Sequence, residues 1–140
     1  MDDSGRPPWI GSAILVAMIY LAVSTGSAAL AGTATSDRMR FFWRLSAFVV
    51  SGIVFAAHIA HEHFRLRHPA RPAACHASVA AALGGFALAV AANVHDLGSA
   101  SGYRPRMLIA LLAWPLLTGV PAFVLALVIA AGLGMRRTRV

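Results

Sequence analysis

The apolar positions of the 140-residue chain fall into four long runs separated by short polar stretches. The first covers about residues 9–31, "WIGSAILVAMIYLAVSTGSAALA". The second covers about 45–63, with the apolar part "LSAFVVSGIVFAAHIAH" led in by Phe41, Phe42 and Trp43. The third covers about 74–94 and the fourth about 107–134. A helix needs roughly 20 mostly apolar residues to cross about 30 Å of hydrocarbon, and each run approaches or exceeds that length. Backbone groups in lipid must bond within their own segment, so helices are expected. The connections, roughly 32–44, 64–73 and 95–106, leave no room for a soluble domain between the runs. The pattern predicts an all-α integral membrane protein: one transmembrane domain over residues 1–140, folded as an up-down four-helix bundle.

Composition strengthens this picture. Hydrophobic residues make up 59% of the chain and charged ones only 12%, against about 25% charged in soluble domains. The net charge of +7 comes from arginine alone, because the chain has no lysine. That usage points to a GC-rich, bacterial genome and so to an inner membrane. A basic balance in a soluble protein would suggest nucleic acid. Here the arginines gather at the ends of apolar runs, where lipid headgroups and the positive-inside rule account for them. With the N-terminus inside, Arg6, Arg65, Arg67, Arg71, Arg136, Arg137 and Arg139 lie on the inner side. Arg38, Arg40, Arg44, Arg104 and Arg106 lie outside, so both termini are expected to be cytoplasmic. Ala29-Leu30-Ala31 resembles a signal-peptidase site, but the leader carries Asp2 and Asp3 beside Arg6. Its apolar run is also long for a signal peptide, so a retained first helix is expected.

Small residues recur every four positions: Gly52, Ala56, Ala60; Ala77, Ala81, Gly85, Ala89; and Ala122, Ala126, Ala130, Gly134. Such faces let helix backbones approach closely in lipid, either within one bundle, which is the simpler expectation, or between copies. Pro115 and Pro121 beside Trp114 make tilt or kinking of the fourth helix an expectation.

Candidate chemistry is concentrated in "AAHIAHEHFRLRH", residues 56–68. At about 100° per residue, His58, His61 and Glu62 share a face, while His63 lies about 140° from His58. Imidazole and carboxylate at i, i+3 and i+4 suit a divalent transition metal. His68 precedes Pro69 and is expected in the turn, and Cys75 and His76 follow on the same membrane side. The candidate metal site is therefore His58, His61, Glu62 and His76. A haem b would use His58 and His76 as axial ligands. His95 lies at the far end of the third helix and is excluded from either set. The bland alternative is electrostatic: histidines and arginines complement the negative end of a helix, and Glu62 can pair with Arg65. That accounts for most of the cluster and leaves His58, about a turn inside the boundary, needing a partner. One histidine-rich stretch does not make the several boxes of membrane desaturases. The single Cys75 excludes an intrachain disulfide.

No carboxylate or arginine lies mid-span, which weighs against a coupled transporter, and no G-x-S-x-G or other nucleophile motif appears. The functional expectation is a small membrane protein without catalytic chemistry, an accessory or stabilising subunit or a small homo-oligomer whose partners are lipid and other membrane chains or itself. No cofactor is the first expectation, with a haem- or metal-binding redox protein second and a small transporter or channel third.

Overall fold

A computed structural model describes residues 8–98 and 107–137, with side chains for 9–98 and 107–132. Arg6, Arg104, Arg106 and Arg139, counted above for orientation, lie outside the described residues, as do Asp2 and Asp3. The side chains of Arg136 and Arg137 are likewise outside them.

The described chain forms four helices and no strand: α1 (Pro8–Thr33), α2 (Asp37–Phe64), α3 (Ala70–Leu97) and α4 (Met107–Arg137). All four are long and apolar enough to cross a membrane. Two boundaries differ from the sequence pattern. The helix α2 starts at Asp37 rather than near 45. Arg38, Arg40 and Arg44 interrupt the apolar run there, but Ser36 caps the helix, its side chain accepting from the Met39 N–H at 3.3 Å. Asp37 also places a negative charge at the positive end of the helix. The helix α3 starts at Ala70 rather than near 74, because Pro69 and Pro72 are tolerated before and within a first helical turn. Pro115 and Pro121 lie within α4, which continues through both.

The third helix is the centre of the bundle. It packs against α4 most extensively, then α1, and more lightly α2, whereas α1 and α4 do not meet among the described residues. The small-residue face of α3 explains its position. Ala77, Ala80, Gly84, Gly85 and Ala89 are buried. A Cβ on Gly85 would lie 2.5 Å from Thr118 Oγ1 and 3.0 Å from the Trp114 carbonyl of α4. Gly84 receives Tyr20 of α1 in the same way, at 3.1 Å. Polar side chains fasten these contacts: Ser78 Oγ donates to the Gly119 carbonyl at 2.8 Å, and Thr118 Oγ1 to the Ala81 carbonyl at 3.2 Å. Asn93 Nδ2 donates to the Met107 carbonyl at 2.9 Å. Close packing and interhelical hydrogen bonds are the forces available where lipid is as apolar as the side chains. Ile59, Ala74, Ala77 and Ala126 join α2, α3 and α4 in one apolar cluster.

The small face of α2 is not used this way. Gly52 and Ala56 are exposed, and nothing lies within 4 Å of a Cβ built on Gly52. Phe48 and Ile53 beside them are 81% and 63% exposed, pointing away from the bundle.

Candidate functional site

The last two turns of α2 carry His58, Ile59, Glu62 and His63 on their buried side, two i, i+4 pairs that define one stripe. His61 is exposed. A helix phased on His58 is expected to hold His61 inside and His63 outside. The buried stripe is centred between the His58/Glu62 and Ile59/His63 pairs, about 70° from His58, which turns His61 out and His63 in.

The chain then reverses in five residues. The Arg65 and Leu66 N–H groups both donate to the His61 carbonyl, at 2.9 and 3.2 Å, and the His68 N–H donates to the Glu62 carbonyl at 3.1 Å. Backbone groups, not the histidine side chains, thus satisfy these two helix-end carbonyls. Arg67 has φ 54°, the left-handed region, and lets the turn fold His68 back over α2. Pro69 then begins α3.

Three elements converge on one carboxylate. Glu62 is wholly buried. Its Oε2 accepts from His68 Nδ1 at 2.6 Å and from His76 Nδ1 at 2.8 Å. Hydrogen bonds to an ionised acceptor are the stronger kind. His76, two turns into α3, stacks on Trp9 of α1 with ring centroids 4.3 Å apart and planes 2° from parallel. His68 meets His76 edge-on at 5.0 Å. The anticipated Glu62–Arg65 pair is not formed: Arg65 is exposed, and both histidines take its place.

The arrangement is polar beyond what these bonds satisfy. Glu62 Oε1, His58 Nε2 and both ring nitrogens of His63 are buried without a protein partner. Each such group costs about 1–3 kcal/mol when desolvated and unpaired. With Nδ1–H donating to Glu62, each of His68 and His76 keeps a lone pair on Nε2.

Ligand atoms of Glu62, His68 and His76 lie within 4.8 Å of one another, a group able to hold a metal ion. Of the four residues proposed from sequence, Glu62 and His76 are therefore brought together. His58 is buried one turn before Glu62, within electrostatic reach of Glu62 and His76. His61 is outside the group, and His68 enters it. His58 and His76, considered as a haem pair, both lie at this end of the bundle, with one face of the His76 ring covered by Trp9. Cys75 is exposed, and His95 is exposed at the other end of α3.

A cleft of about 470 Å³ lies at the other end of the α1–α2 pair, lined by Ser24, Ser27, Arg40 and Arg44 among others. A smaller one of about 260 Å³ is lined by Ser36, Arg38, Met39 and Phe42. Tyr20, Ser51 and Thr118 line neither.

Comparison with protein-family models, with curated proteins and with solved structures finds no match for this chain.

Proposed function

We propose that this chain is a non-catalytic membrane protein of a bacterial inner membrane that acts by helix association. It serves as a small homo-oligomer, or as an accessory and stabilising subunit of a membrane complex. In this reading the helices alternate up and down, with both termini cytoplasmic. The Trp9–His76 contact between the starts of α1 and α3, and the Asn93–Met107 bond from the end of α3 to the start of α4, support that alternation.

The observation that carries the association is the unused face of α2. The bundle consumes the small-residue faces of α3 and of α4, where Ala126 and Ala130 are buried. It leaves Gly52 and Ala56 open. Small residues four apart allow a second helix to approach closely. Gly52→Leu is expected to abolish association seen by size analysis and cross-linking of the full chain in mild detergent or nanodiscs, without loss of helicity. A wild-type chain extracted from its native membrane that runs in both settings with neither a second copy nor a partner chain overturns the reading.

A further inference from the structure

We infer that Glu62, His68 and His76 form a binding site for a divalent transition-metal ion of zinc-like preference, with His58 one turn away on the same buried stripe. One carboxylate and two imidazoles, with a position left for water or a further imidazole, form a donor set suited to tetrahedral zinc. Three elements of the fold deliver them to one point: the end of α2, the turn after it, and α3. Two nitrogens already aim at the same oxygen, at 2.6 and 2.8 Å. Ligands about 2.0–2.2 Å from a tetrahedral ion lie roughly 3.3 Å apart, so the ring nitrogens must retreat from that oxygen by about half an ångström. On metal entry each ring moves its hydrogen from Nδ1 to Nε2 through solvent exchange, and the ion takes the place the two hydrogens held. The ring tautomer is then fixed by the metal.

An interhelical polar clasp alone explains less. Such a clasp is complete with one histidine on Glu62, whereas this carboxylate holds two. Its second oxygen, Oε1, is fully buried with no protein partner, as is His58 Nε2. Those unpartnered atoms are the independent sign of a ligand. His68 is the accessible member, its side chain 29% exposed, which gives an ion a route in from the turn. Exposed His61 is a built-in control on the neighbouring face.

The test is titration of the full-length, untagged protein in detergent micelles with Co²⁺, followed by its visible d–d absorption, and then with competing Zn²⁺. One equivalent of Co²⁺ should bind with a tetrahedral spectrum and be displaced by Zn²⁺. His68→Ala, in the turn, should weaken binding by about 10-fold or more, on the scale set by removing metal-site contacts. His61→Ala should leave it unchanged. Glu62→Gln should lose binding, and His68→Ala decides the matter if that variant does not fold. Absence of saturable one-to-one binding by the wild type overturns the site. So does binding that His68→Ala leaves intact, or that His61→Ala weakens as much as His68→Ala does.

Discussion

Thr118 Oγ1 occupies the space that a side chain on Gly85 would need, 2.5 Å from the position of its Cβ. The same hydroxyl shares its one hydrogen between carbonyls on both helices, Trp114 at 2.8 Å within α4 and Ala81 at 3.2 Å across to α3. This close contact between α3 and α4 thus depends on one missing methyl group and one hydroxyl. Gly85→Ala is expected to destabilise the bundle by about 1–3 kcal/mol, the usual cost of overpacking a close contact. Gly84→Ala should cost less, because its nearest contact, the Tyr20 side chain, lies at 3.1 Å rather than 2.5 Å. Unfolding of the two variants in detergent, followed by circular dichroism, measures the order.

Asn93 joins the end of α3 to the start of α4 through the Met107 carbonyl. Asn93→Ala should reduce stability by about 0.6–2 kcal/mol, the range for interhelical hydrogen bonds in membrane proteins. The opening should be confined to that end. Hydrogen exchange is expected to rise around 93–97 and 107–111 and to stay unchanged at the Glu62 end.

The turn after α2 rests on Arg67 at φ 54°. A left-handed conformation costs a residue with a Cβ about 1–2 kcal/mol, a cost glycine escapes. Arg67→Gly is therefore expected to hold or raise stability, its gain partly offset by the freer unfolded chain. Arg67→Val, β-branched and poorly suited to positive φ, should lower it. The sharper readout is His68. Arg67→Val should release its ring from Glu62, seen as a changed imidazole resonance, while Arg67→Gly should not.

The spans were legible in the sequence because crossing lipid demands long apolar runs, and nothing in tertiary packing overrides that demand. The start of α2 was not, because Arg38, Arg40 and Arg44 interrupt the apolar signal where Ser36 and Asp37 supply a helix start of a different kind. At the site, the histidine-rich stretch and His76 were visible from residue types and order. Which side of α2 faces inward was not, since that depends on where α1 and α3 lie. Hence His61 and His63 exchange places. Pro69 correctly ended the helix before His68, but a turn is also a means of bringing a side chain back. Its left-handed Arg67 carries no glycine or asparagine to announce it. The small-residue pattern of α2 read like those of α3 and α4, and only the fold separates the used faces from the open one.

His58 separates a structural role from a ligand-binding one. Its Nε2 is buried without a protein partner, so no protein hydrogen bond offsets the desolvation of that nitrogen. Replacing an unpaired buried polar group with an apolar one of similar size is neutral to stabilising. His58→Leu is therefore expected to unfold at the same temperature as wild type or higher, with a gain of up to about 1–2 kcal/mol. Its Co²⁺ affinity should nevertheless fall. His61→Leu, on the exposed face, should change neither quantity. A clear loss of stability in His58→Leu, measured without metal, would show that the imidazole is held by the fold itself and serves packing rather than a ligand.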